Sequence, residues 1–417
     1  MKVSYLLITL LSFLHFSTPS LFSAPNAYVT NQFSNTVSVV DTATNQVITK
    51  IKVGKVPSAI AISPDGAFAY VTNGGSKTVS VIDTATNKVI ATIKVGKLPG
   101  GIAITPDGAF AYVANYGSDT VNLIDTTTNK VVATIKAGKL PVAIAITPNG
   151  AFAYVTNQLS NTISVIDTAA NKVSATIKVG KFPNGIAITP DGTFAYVANE
   201  DSNTVSVIDT ATNKVSATIK AGKAPSKIAI TPDGTFAYVT NAKSNTVSVI
   251  DTATNKVIAT IKVGKNPIGI AITPDGAFAY VANYGSNTVS VIDTVTNKVS
   301  AAIKVGKNPT GIAISGALIP PKPPTPPQPA SHFEGQVLHN RFATQTDIIH
   351  RLRWSPSPAQ NVKSYKLYRN DQLIAVIPAE GPYRYSDHNR HEGQKDTYEL
   401  VTTIEGRLDT FLRLTLP

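Results

Sequence analysis

The side chains that most often carry chemistry are nearly missing from most of this chain. Residues 25–317 contain no His, Arg or Cys, and Glu200 is their only glutamate. Hydrolysis needs a general base, an activated nucleophile or a metal cage. Ser and Thr are abundant there, but no base adjoins them. Twelve of the 15 acids in this region are Asp at two recurring positions, such as Asp83 in Ile-Asp-Thr and Asp107 in Pro-Asp-Gly. Both positions read as turns, where Asp bonds nearby backbone, and copies spaced along the chain make no calcium cage. Near the C-terminus His388 and His391 lie beside Asp387 and Glu392, in what reads as a loop rather than a metal site. The expectation is no enzyme, no catalytic residue, no metal and no cofactor.

What remains is recognition. Lys55, Lys97, Lys139, Lys181, Lys223, Lys265 and Lys307 each precede an x-Pro pair, always at the same spacing. Such a row could draw an acidic partner from a distance, with strong salt dependence. The net charge of +12 belongs mostly to this part of the chain: 24 lysines face 15 acids there, while residues 332–417 are nearly neutral.

The element that positions these lysines is a repeat. A tyrosine recurs at 28, 70, 112, 154, 196, 238 and 280, always 42 residues apart. Each unit holds four short runs of strand character. In one unit these are Ile102 to Thr105, Phe110 to Ala114, Thr120 to Ile124 and Val131 to Lys136. Pro106-Asp107-Gly108 makes a tight hairpin between the first two, and Asp125 to Lys130 connects the last two. Four-stranded antiparallel units at this period are propeller blades. The repeats begin on a second strand (Ala27 to Thr30) and finish on a first (Ile312 to Ser315). The predicted fold is therefore all-β: a seven-bladed β-propeller whose ring is latched by three N-terminal strands and one C-terminal strand.

By chain direction, the lysine turns share a face with the loops that follow each second strand. Those loops differ from copy to copy, whereas the Pro-Asp-Gly and Asp-Thr-Ala-Thr-Asn-Lys turns opposite hardly change. Variable loops on a rigid scaffold are where specificity is usually placed. Phe33, Tyr116, Phe182 and Tyr284 are expected to be exposed on this face, as stacking surfaces for a sugar or a protein.

Tyr28-Val29-Thr30-Asn31, repeated at 70, 154 and 238, occurs with the runs VSVIDTATNKVIATIKVG and GIAITPDG. Together these closely resemble the YVTN family of propeller repeats over about residues 26–315. The resemblance implies a propeller of the kind found in archaeal and bacterial surface proteins, surface-layer proteins included. Lactonase-like propellers share the general look of the repeat, but the residues available give a hydrolase no base and no metal cage.

Lys2, the apolar run from Tyr5 to Leu14 and the small residues Ser20, Ser23 and Ala24 read as a signal peptide over 1–24. The propeller is assigned to 25–317 and a Pro-rich spacer to 318–331. Residues 332–417 hold every arginine and five of the six histidines. Leu352-Arg353-Trp354, Tyr365 to Asp371 and Tyr398-Glu399-Leu400 resemble a fibronectin type III module, which implies a small two-sheet sandwich with the Trp and the late Tyr in its core. The functional expectation is an exported, secreted or cell-surface binding or adhesion protein. Its partner would be an acidic glycan or protein of the envelope, with no nucleic acid and no membrane span in the mature chain. The alternative is a structural component of a surface layer.

Overall fold

The computed structural model describes residues 25–315 together with seven strands and one turn residue between 333 and 416; the expected signal peptide and spacer lie outside the described residues. Residues 25–315 form seven four-stranded antiparallel sheets, arranged as consecutive blades. Blades are numbered here from the first complete one, whose innermost strand is Pro57–Ile62. Blade 2 is typical: Pro99–Ile104, Phe110–Asn115, Thr120–Asp125 and Lys130–Lys136 pair in that order, from the axis outward. No helix among the described residues is long and apolar enough to cross a membrane.

One local expectation needs correction. The innermost strand starts three residues earlier than predicted, at Pro99. Proline can open a strand because the first N–H is not needed by the ladder, and the register shifts between Pro99 and Ile102 before regular pairing resumes. In the third strand, Val121, Asn122, Leu123 and Ile124 are all buried. Blades pack face to face, so both sides of the strand are covered. Leu123 and Tyr112 pack toward blade 3 on Ala153, Val155 and Ile166, while Ile124 packs toward blade 1 on Tyr70, Val79 and Val81. Only the outermost strand alternates against solvent, and its terminal lysines (Lys94 in blade 1, Lys136 in blade 2) are exposed on the free edge.

The turns follow from residue type. Gly108 adopts φ +75° and Asn129 φ +55°, the left-handed region that Gly enters freely and Asn tolerates. Asp125 accepts bonds from the Thr128 amide (2.8 Å) and hydroxyl (3.0 Å), and these hold its carboxyl below the usual carboxylate range.

Closure is three plus one, as the strand count predicts. Pro309–Ile314 lies beside Asn26–Asn31, with Ala27 opposite Ile314 and Val29 opposite Ile312. The Gly311 amide donates to Thr30 Oγ1 at 2.7 Å, and the Thr30 and Thr310 hydroxyls meet at 2.9 Å. The latch thus joins residues almost a whole ring apart in sequence.

The recurring Tyr and Asn explain themselves here. Each Tyr is buried and reaches the next blade: Tyr154 Oη donates to Asn213 Oδ1 (2.7 Å), Tyr196 to Asn255 (2.8 Å) and Tyr280 to Asn45 (2.8 Å). The Asn that ends each second strand is also fully buried, and in blade 3 Asn157 donates to Ser164 Oγ at 3.0 Å. Asn157 sits against Gly138, where a Cβ would stand 2.6 Å from its Cγ. The motif is a staple between neighbouring blades.

The second compact unit, 320–417, is described by itself. Phe333–Arg341, Thr346–Trp354 and Arg384–Arg390 form a three-stranded sheet; Gln372–Pro378, Val362–Arg369, Asp396–Ile404 and Thr410–Leu416 form a four-stranded one. Leu352, Tyr365, Leu367, Ile377, Tyr398 and Leu400 are buried. Asn370 turns the hairpin at φ +47°, as its sequence suggests. Asp387 and His388 do not lie in a loop: they belong to the strand Arg384–Arg390, where Asp387 pairs opposite His350. His391 and Glu392 fall outside the described residues.

Candidate ligand-binding face

Each outermost strand ends in a lysine-bearing crossover that leads into the next blade. At the first of these, the Lys55 amide donates to Ser76 Oγ (2.7 Å), while its carbonyl accepts from the Gly75 amide (3.0 Å). Equivalent serine bonds, 2.5–2.8 Å long, fix Lys97, Lys139, Lys181, Lys223, Lys265 and Lys307. The backbone is therefore pinned at every copy while the side chain is left free, and all seven lysines are exposed. They stand around one face, each against the variable loop of its own blade, as expected.

The residue after each lysine is held in the left-handed region whatever its type. Val56, Leu98, Leu140, Phe182, Ala224, Asn266 and Asn308 have φ between 49° and 56°. For β-branched Val56 this is a strained conformation. Val56 N donates to Asn35 Oδ1 (2.9 Å) and its carbonyl accepts from Gly74 N (2.9 Å). The clamp consists of backbone groups and a loop Asn, so it does not depend on the clamped side chain. That is why this position can vary from blade to blade.

The aromatic expectation holds only in part. Phe33 is 62% exposed, but Tyr116, Phe182 and Tyr284 are half-buried against their loops. Phe33 of blade 7 and Tyr284 of blade 6 form a tilted pair, with ring centroids 6.5 Å apart and an interplanar angle of 59°. Tyr116 and Phe182 belong to blades 2 and 4 and do not join that pair. The face carries one aromatic patch at the blade 6–7 junction, with exposed Leu98 and Leu159 elsewhere on it.

Charge is divided between the two faces. The lysine crossovers, Lys77 and Lys243 lie on the variable side, where Asp119, Glu200 and Asp201 are the acids. The repeated aspartates occupy the turns of the opposite side, beside Lys88 and its five counterparts, and hydrogen bonds lower the carboxyl pKa at Asp83 and Asp107.

Sequence reasoning missed a cluster where the sevenfold pattern breaks. The third residue of the innermost strand is Ala59, Gly101, Ala143, Gly185, Gly269 or Gly311 in six blades, but Lys227 in blade 5. Lys227 Nζ donates to Asn184 Oδ1 (3.2 Å), and Asn184 Nδ2 donates to Glu200 Oε2 (3.1 Å). Burial is the main cause that lowers the Lys227 pKa, to about 8; nearby Glu200 opposes it. Part of its surface still opens into the central channel. Aligning the seven copies column by column would have exposed Lys227, because no other copy is charged there.

A family model described as YNCE-like beta-propeller matches residues 14–317. No curated protein matches the chain. Among solved structures, Kuenenia stuttgartiensis hydrazine synthase is similar at 28% identity and a TM-score of 0.60, over 64% of this chain and 92% of that one. A functionally unknown protein from Desulfotomaculum acetoxidans aligns at 22% identity and a TM-score of 0.64, over 70% of this chain and 99% of that one. At 22% identity the likeness speaks for the fold alone. With the family model matching residues 14–317 and seven four-stranded blades in the structure, the chain belongs to the YNCE-like β-propellers.

Proposed function

We propose that this protein is a non-enzymatic recognition protein, exported to the cell surface or medium, whose lysine-ringed face takes an acidic glycan or protein. The observation that carries the reading is the ring itself: seven exposed lysines on pinned backbone, beside the loops that differ between blades. Lysines fixed at one rim of a rigid ring reinforce one another's field, and aspartates gathered at the other rim give the molecule an electrical direction. The Phe33–Tyr284 pair adds a stacking surface beside the ring. The C-terminal unit is read as a fibronectin type III-like module that serves as stalk or second contact. Its three- and four-stranded sheets and the buried Tyr398 support that assignment.

The test is a binding screen of the full chain against acidic and neutral envelope glycans at low and physiological salt, with light scattering alongside. Binding to one anionic class that weakens with salt, and that is lost when the seven ring lysines become glutamine, supports the proposal. Unchanged binding by that variant refutes the mechanism. Concentration-dependent assembly without a ligand favours the second reading, a structural surface-layer component.

A further inference from the structure

We propose that the central channel beside Lys227 binds a small monocarboxylate with an apolar body, at a site separate from the lysine ring. The innermost strands of all seven blades line a cavity of about 190 Å³. Every blade contributes at least one isoleucine, Ile228 in blade 5 and Ile186 in blade 4 among them and both Ile268 and Ile270 from blade 6, so the walls are more apolar than polar. The space is an open channel rather than a sealed cavity, with a volume of the order that accommodates a benzene-sized body, about 150 Å³. Lys227 is the one charged residue among those lining this cavity.

The site is built, not incidental. A lysine on an innermost strand gives up hydration that a surface lysine keeps. The strands leave no space for a side chain at Gly185, where a Cβ would stand 2.5 Å from Ser226 O and 2.7 Å from Lys227 Cα, as at Gly101 and Gly311, and the Lys227 stem runs past it, with its Cδ 3.1 Å from that position. The stem therefore crosses from blade 5 over the glycine of blade 4 to reach Asn184. That bond uses one of the three ammonium hydrogens and leaves two for a ligand. Asn184 stands between Lys227 and Glu200, so the acid holds the arrangement without pairing directly with the ammonium.

These features also select the ligand class. One ammonium matches one carboxylate, and the ring of isoleucines matches a hydrocarbon or aromatic body. A phosphate dianion would want a second cation or a nest of amides, while Glu200 would repel its second charge. Binding requires the ammonium form. The lowered pKa of about 8 is set by burial, with Glu200 as the charged group facing Lys227 through Asn184 and the rest of the cavity lining uncharged. A bound carboxylate draws the proton back, so affinity falls as pH rises past 8.

The experiment is calorimetric titration of the full chain with benzoate and hexanoate, alongside benzylamine, hexylamine and inorganic phosphate. The carboxylates should bind, and the amines and phosphate should not. From pH 7 to pH 9 carboxylate affinity should drop about tenfold, following the Lys227 ammonium population. Lys227→Met, of similar volume, should lose at least tenfold in affinity while its melting temperature shows the fold intact. Lysine-ring variants should bind benzoate as the parent does, which separates this site from the face reading. No carboxylate binding by the parent protein overturns the proposal. So does equal binding of amines or phosphate, a pH-independent affinity, or undiminished binding by a folded Lys227→Met variant.

Discussion

Seven tyrosines in nearly identical surroundings allow one hydrogen bond to be weighed with an internal control. In six blades the tyrosine hydroxyl donates to the Asn of the next blade's turn, at 2.7–3.2 Å. In blade 1 the matching acceptor, Asn129 Oδ1, is buried with no hydrogen-bond partner, so Tyr70 does not make that bond. All seven rings are equally buried. Tyr→Phe keeps the ring and removes only the hydroxyl. At Tyr154, Tyr196 or Tyr238 the change deletes a bond worth about 1 kcal/mol and strands an acceptor, a loss of about 1–3 kcal/mol in full burial. The asparagines are half-buried, so water relieves part of the second term and about 1–1.5 kcal/mol is expected. For a domain of this size that corresponds to a melting shift of about 1.5–2.5 °C. Tyr70→Phe removes no such bond and should shift the melting point by far less. The assay is thermal and urea unfolding of the four variants, followed by circular dichroism. An equal loss from Tyr70→Phe and Tyr154→Phe would refute the staple as the source of the energy.

Two further predictions address the same core. Burial, reinforced by nearby aspartates, pushes Tyr28, Tyr112, Tyr154, Tyr196, Tyr238 and Tyr280 up to about 12. The folded state then holds these protons more tightly than the unfolded chain. Their contribution is complete below about pH 10 and is lost between about pH 10 and 12. Tyrosinate absorbance from these residues should rise together with loss of the sheet circular dichroism; free titration near pH 10 in an intact fold would contradict this. Gly138→Ala should lower the urea midpoint by the equivalent of about 1–3 kcal/mol, because its methyl group would stand 2.6 Å from Asn157 Cγ; an unchanged midpoint would show that the asparagine yields at no cost.

Most of the propeller was legible in the sequence because a 42-residue period restates each blade seven times. Blade count, closure and the placing of the lysines all follow from counting strands between turns. Burial of the third strand was not legible, since Thr and Ser look solvent-facing until a second sheet is laid against them. Asn122 Oδ1, for example, accepts from Asn115 Nδ2 at 2.8 Å in that buried layer. The half-burial of Tyr116 and Phe182 was hidden for a related reason. A loop aromatic leans on whatever its own blade offers, and a single repeat does not show that contact. The C-terminal unit has no internal copies, so its loops and strands were harder to separate, and Asp387 and His388 were placed in a loop instead of a strand.

The most specific motif in the chain therefore says least about function. Its Tyr reaches across to the next blade and its Asn lies buried against a crossover glycine, so both are committed to holding the ring together. What can recognise a partner must lie in positions the staple leaves free. Two kinds of position qualify, and they carry different information. The lysine ring is sevenfold, so it provides a strong, directed field but little shape: any one lysine contributes a screened fraction, and its loss should be nearly silent. Lys227, Asn184 and Glu200 each occur once, on two adjacent blades, and they form a single bonded chain. A repeat built by duplication acquires a unique site only where copies have diverged together. On these two proposals, attraction without detailed selectivity falls to the symmetric rim, and selectivity for a small ligand falls to the stretch of channel wall that carries its one charged lining residue, Lys227.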